Sequence, residues 1–253
     1  MGLNVYSGSF TFTNGTGDIA ITGLGFQPKV IIFFWTRQSA TGFAVNRTVG
    51  VGASVDRVTD QNYCMSWCAN DNLATSSATY ARRVADAVEI IVTTGTNARG
   101  SVTAYGSDGF TFNKSFNDNA IAPIIKYVAL GGSDITDAII LECTEPAVTG
   151  NNAYTGAGFQ GNLAMFWSTR NDNASGNQTG SHCDPSIGFA NGTSQVTCHG
   201  HTATSISAAG ASQCESFISS SLCLGIYSTA TDTTLAKASF TSFDSDGFTL
   251  NHT

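Results

Sequence analysis

Six residues near the start of the chain, Thr22-Gly23-Leu24-Gly25-Phe26-Gln27, return with a single change as Thr155-Gly156-Ala157-Gly158-Phe159-Gln160. The offset is 133 residues (155 − 22). An apolar run follows each copy, Val30 to Trp35 and then Leu163 to Trp167, and Arg37 and Arg170 close the two runs. A second anchor, Ser107-Asp108-Gly109-Phe110-Thr111-Phe112-Asn113, returns as Ser245-Asp246-Gly247-Phe248-Thr249-Leu250-Asn251 at an offset of 138 (245 − 107). Two anchors in the same order at nearly the same spacing predict a duplicated structural unit. The drift between the offsets implies a net insertion in the second copy, expected where Asn, Ser and Gly are dense between Asn171 and Pro185. Between the anchors, Cys64 and Cys198 are the expected equivalents. The chain of 253 residues divides on this reading into domains 1–122 and 123–253, with the joint near Asn117 to Pro123.

Each copy reads as β. Phe10 to Thr13 and Ile19 to Thr22 alternate with period two, as half-buried strands do. Val30 to Trp35 is short and continuously apolar, which predicts a central strand buried on both faces. Val88 to Thr93 is a further strand, and Ser101 to Tyr105 leads through Asp108-Gly109 into Phe110 to Phe112 as a hairpin, repeated by Ser239 to Thr249. Leu73 to Ala87 has some helical composition, but its Ser and Thr argue against a helix. The expected fold class is all-β: two tandem antiparallel β-sandwich, jelly-roll-like domains. After its last hairpin the first half continues into Ile124 to Leu130, whereas the second stops at Thr253. The second domain is therefore expected to lack a strand, supplied by a neighbouring subunit or by the linker strand itself.

Composition removes several function classes. Only 11% of residues are charged, and the net charge is −7 with 11 Lys and Arg. A nucleic-acid groove needs clustered positive charge, and Arg82-Arg83 is the only adjacent basic pair. No run approaches the ~20 apolar residues of a membrane span. The seven cysteines, Cys64, Cys68, Cys143, Cys183, Cys198, Cys214 and Cys223, are an odd number, and no leader precedes the first strand-like stretch, so thiols in a reducing compartment are expected. Met1-Gly2 lacks the Ser or Thr at position six that myristoylation favours, since Tyr6 stands there.

The pattern Gly25-Phe26-Gln27-Pro28-Lys29 before an apolar strand, then Ser107-Asp108-Gly109-Phe110-Thr111, with Lys126-Tyr127-Val128-Ala129-Leu130-Gly131-Gly132 at the joint, resembles β-sandwich domains in structural proteins of tailed bacteriophages. The resemblance spans nearly the whole chain and implies a head-surface or tail component, some members of this kind being lectin-like in fold. It implies no catalytic residues. The second copy has Gly161 where the first has Pro28, and no coiled-coil attachment segment is present, which favours a compact accessory piece over a long fibre.

Chemical constellations are few. His182-Cys183 with Cys198-His199-Gly200-His201 and Cys214 has soft ligands at spacings that zinc accepts, but alternation along a strand turns Cys198 inward and His199 outward, and no paired C-x-x-C knuckle occurs. No metal and no cofactor are expected. Cys64 and Cys68 lie four apart, too far on one strand for a disulfide, and read as buried thiols. Asp244-Ser245-Asp246-Gly247 lacks the oxygen ligands of a calcium loop and reads as turn chemistry. Neither a G-x-S-x-G elbow nor a phosphate loop is present, and Glu89, Glu142 and Glu145 show no pairing signal for glycosidase work. Trp35 and Trp167 fall in the most apolar runs and are expected in the core. Trp67, in a more polar stretch, is the candidate surface platform for a sugar ring. Asn-x-Ser/Thr sequences such as those at Asn14 and Asn191 reflect composition.

These readings converge on a non-enzymatic virion structural protein, a head decoration or tail accessory component. Its expected partners are other capsid or tail proteins and further copies of itself. The alternative is a carbohydrate-binding adhesin, a receptor-binding tail protein touching a host-surface glycan.

Overall fold

The computed structural model describes residues 2–43, 47–59, 61–69, 79–92, 95–117, 122–169, 178–179, 182–183, 185–204, 212–228 and 233–253. Strand is the only regular structure among them. Two compact units emerge, one built on Met1–Leu73, Arg82–Ile140 and Asn173–Gln178, the other on Ala74–Ala81, Leu141–Asp172 and Thr179–Thr253. Within the described part of the Leu73–Ala87 stretch, Thr79–Val84 is strand, and most of the expected insertion between Asn171 and Pro185 lies outside the described residues.

In the first unit the strands are β1 (Leu3–Thr11), β2 (Gly17–Thr22), β3 (Pro28–Thr36), β4 (Arg47–Val55), β5 (Gln61–Ala69), β6 (Thr79–Val84), β7 (Val88–Val92), β8 (Gly95–Gly106), β9 (Gly109–Asn117) and β10 (Ile124–Gly132). One sheet runs β1-β10-β3-β4-β5-β6, the other β2-β9-β8-β7. Alternation decides what lies between them. Ile31, Phe33 and Trp35 of β3 point into the core, where Phe33 meets Phe110 at 6.1 Å and Phe112 at 5.8 Å in edge-on contacts. Val30, Ile32 and Phe34 form the outer row. Phe34 is 42% exposed, so the apolar run is a central strand without being buried on both faces throughout.

The linker stretch resolves the question of the missing strand. β10 inserts between β1 and β3, pairing antiparallel with both. The first unit thus extends to Ile140, past the division expected at 122/123, because β10 fills the middle of its sheet. It is not the strand that completes the second unit.

The second unit comprises β11 (Gly150–Thr155), β12 (Ala164–Ser168), the two-residue β14 (His182–Cys183), β15 (Ser186–Ala190), β16 (Gln195–Thr204), β17 (Ser212–Ser219), β18 (Leu224–Ser228), β19 (Thr233–Asp244) and β20 (Gly247–His252), while the two-residue β13 (Gln178–Thr179) pairs with β6 at the end of the first sheet. Its sheets run β11-β20-β19-β18 and β12-β15-β16-β14, with β17 also paired to β16. Phe166 meets Phe248 edge-on at 5.5 Å, as Phe33 meets Phe110. Ala190, Cys223, Ala238 and Leu250 complete this smaller core.

The two units share details finer than strand order. β8 bulges between Val102 and Ala104 against β9, and β19 bulges between Phe240 and Ser242 against β20. A bulge frees backbone groups from the ladder, and in each unit an amide side chain from the facing sheet meets them. Asn62 Oδ1 accepts from the Val102 amide at 3.0 Å, and Gln195 Oε1 accepts from the Phe240 amide at 2.6 Å. A second bulge recurs at Ile90/Ile91 and at Ile226/Tyr227. Gly52 and Gly188 each pack against a backbone carbonyl of the other sheet: a Cβ would lie 1.9 Å from the Ala87 oxygen or 1.7 Å from the Cys223 oxygen. These matches align by contact rather than by residue type. Cys64, opposite Gly52, finds its counterpart in Thr197, opposite Gly188, and not in Cys198 as the bare spacing suggested.

Alanine at Gly52 or Gly188 must push two sheets apart, since the obstructing atom is backbone. Each substitution is expected to destabilise its unit by about 1–3 kcal/mol, the range for overpacking, read as a lowered urea midpoint. An unchanged midpoint would refute the close sheet contact.

Candidate functional site

The best-formed local arrangement in each unit is a clasp between two turns. The turn after β2 carries Gly23 and Gly25 with φ of +87° and +77°, a region that side chains avoid. Both amides then face one side, and the Asp108 carboxylate receives them: the Gly25 amide donates at 2.6 Å and the Gly23 amide at 3.0 Å. The Leu24 amide donates to the Asp108 carbonyl at 3.1 Å. The second unit repeats this with Gly156 and Gly158, at φ of +99° and +78°, whose amides reach Asp246 at 3.1 and 2.6 Å, while Ala157 donates to the Asp246 carbonyl at 3.1 Å. The two sequence anchors are therefore the two halves of one contact. Charge-assisted bonds from the Gly25 and Gly23 amides hold the Asp108 carboxyl below its ordinary value.

Asp244 has a separate task. It accepts from Thr249 Oγ1 at 2.7 Å and Ser242 Oγ at 2.8 Å, which lowers its pKa and braces the hairpin. Thr249 and Ser242 each take one of its two oxygens.

A third tie involves a residue that the sequence reading passed over. His252, 3% exposed, places Nδ1 3.0 Å from Glu145 Oε1 and Nε2 2.9 Å from the Tyr154 hydroxyl. Tyr154 Oη also donates to the Thr144 carbonyl at 3.2 Å. In the first unit the buried Lys114 plays the corresponding part, donating to the Thr13 carbonyl at 3.0 Å and its Oγ1 at 2.8 Å. The signal was present: Lys114 and His252 each stand directly after the second anchor, at a basic position shared by both copies. Burial, with the nearby Cys143, Glu145 and Cys223 against a smaller opposing pull from Asn152, raises the Tyr154 phenol. It stays protonated at neutral pH and acts as a donor. Burial also pushes the Cys223 thiol up to about 12, which keeps it an inert core group. The arrangement fastens Thr144 and Glu145 to the strand pair β11–β20; it offers no activated nucleophile.

The remaining expected site residues separate. Trp67 is 2% exposed, opposite Val49 in the β4–β5 ladder, and has no face available to a sugar ring. Ser66 and Cys68 lie on the opposite, sandwich-facing side of the strand and are buried as well, so the polar stretch around Trp67 marks no exposed face. Trp35 is buried as expected, but Trp167 is half-buried, since β12 ends its sheet and only its Phe166 packs on the core. Cys64 and Cys68 are both buried. Cys198 and His199 take the reverse of the expected directions, Cys198 outward and His199 inward at 4% exposure, so adjacent members of the supposed metal cluster sit on opposite faces. The side chains of His182, Cys183, His201 and Cys214 lie outside the described residues. Glu89 is fully buried, Glu142 is exposed, and Glu145 pairs with His252.

Compared with protein-family models, curated proteins and solved structures, the chain matches none.

The clasp has a pH signature. The Asp108 carboxyl is depressed in the folded state, so its stabilisation is present above the ordinary carboxylate pKa of about 4 and is lost as pH falls through the depressed value. Asp108→Asn is expected to lower the urea midpoint at pH 7, with the difference from the unaltered chain closing in acid. A gap that stays constant with pH would show that charge has no part in the clasp.

Proposed function

We propose that this chain is a non-enzymatic structural component of a tailed-bacteriophage particle, a head decoration or tail accessory protein, built from a duplicated β-sandwich unit and working through its packing surfaces. The observation that carries the reading is the orientation of one sheet in the second unit. Ser186, Gly188, Ala190, Thr197 and His199 face its core, while Ile187, Phe189, Val196, Cys198 and Ile218 face outward. By register Met165 and Trp167 of β12 continue this outer row. Phe189 is 37%, Val196 47% and Ile218 82% exposed. A contiguous apolar patch of this kind marks a surface that meets another protein, and sparse charge lowers the desolvation cost when it does so. The paired clasps and paired bulges support the duplication, and the burial of Trp67 leaves the adhesin reading without its platform.

Antibody–gold labelling of purified particles tests the reading. Label spread over the head establishes a decoration role. Label confined to the tail tip would instead promote the adhesin, with a glycan screen to follow. Particles carrying neither label nor protein overturn the proposal.

A further inference from the structure

The two units differ most where their apolar sheets end. In the first, β3 has β4 on one side and β10 on the other, and β1 lies beyond β10. In the second, β12 corresponds to β3, since Phe166 meets Phe248 as Phe33 meets Phe110. Yet β12 pairs among the described residues with β15 alone. Among the described residues its other edge has no partner strand, and the strand is half-buried throughout. Unpaired edges of this kind template the addition of a further strand.

We infer that β12 of one copy takes β1 of a second copy as its missing neighbour, joining copies head to tail. This rests on the reading of the chain as an assembly protein and adds the partner and the contact. Three observations select β1. Among the described residues it is an open edge ending an apolar sheet, with β10 on one of its sides only. It has nine residues against the five of β12, so it can cover the whole edge. Its outer row opens with two uncovered apolar residues, Leu3 at 53% and Val5 at 57% exposure, ahead of Ser7, Ser9 and Thr11, and these two match the outer Met165 and Trp167 of β12. None of the devices that blunt an edge strand is present in Leu3–Thr11, which holds no Lys, no Pro and no charged residue. Linking two different surfaces of identical copies makes a heterologous contact, which propagates or closes into a ring.

The test uses the full chain and two variants, Val5→Lys and Met165→Lys, each checked for fold by circular dichroism and followed by native mass spectrometry. The unaltered chain is expected to form species above the monomer of 26.3 kDa. Each variant alone is expected to lose them all. Mixed in equal amounts, the two variants should yield a dimer and nothing larger, because each supplies the edge that the other lacks. Dimers of Val5→Lys alone would mean that β12 pairs with β12, and dimers of Met165→Lys alone that β1 pairs with β1; either result overturns the inference. An unaltered chain that stays monomeric does so too. If Met165→Lys does not fold, Val5→Lys alone still decides, since head-to-tail joining requires it to be monomeric. A chain that labels particles yet fails here leaves the assembly reading standing. One that assembles as described but is absent from particles removes the phage reading and leaves this contact in place.

Discussion

In each unit two backbone amides, separated by one residue, converge on one carboxylate. Much of the architecture depends on this contact. The glycine turn must lead from β2 of one sheet into β3 of the other, and from β11 into β12, and a chain that changes layers leaves amides with no ladder to join. Asp108 and Asp246 meet those amides from the hairpin turn of the neighbouring strands. The carboxylate thus sets where the layer change occurs relative to the hairpin, and the registers of β2 on β9 and of β11 on β20 follow from it.

Burial then completes what the clasp begins. Phe33, Phe110 and Phe112 fill the first core. In the second, Leu250 stands in the place of Phe112 and Ser168 in the place of Trp35, so less apolar volume lies between the layers. The layers approach closely at Gly52 and Gly188, and the amides of Asn62 and Gln195 reach across the gap to repair the bulges. Burial and polar satisfaction are therefore concentrated at the same points in both units.

Much of this was legible in the sequence. The anchors announced the clasp because glycine turns and Asp-containing hairpins need fixed residue types. The all-β class followed from alternation alone. What could not be read was the face each strand turns inward. In β16 the inward residues are Thr197 and His199, and in β15 they are Ser186, Gly188 and Ala190, so a rule that sends the large apolar residues inside fails there. Cys198 was misplaced for the same reason, whereas Trp67 lies on the outer side of β5 beside Val49 and is covered there. The position of β10 was hidden because its apolar pattern suits either sheet, and only pairing shows which one received it. His252 escaped notice because its counterpart is a lysine, and the shared task lies in reaching back to an earlier segment.

Two units with nearly superimposable clasps, joined in one polypeptide, face a hazard during folding. A nascent β11 can find the β9 edge as readily as a nascent β2 can, and strand exchange between similar neighbours is a known route to misassembly. The residues that differ between the copies act as discriminators. Asp18 pairs with Asn113 across β2–β9 through a 2.6 Å hydrogen bond, whereas the same register in the second unit sets Asn151 against Asn251. Lys114 finds its acceptors on Thr13, and His252 finds its own on Glu145 and Tyr154. Divergence at these positions gives each half a private set of matches, so that a chain which repeats itself in outline still folds each strand onto its own kin.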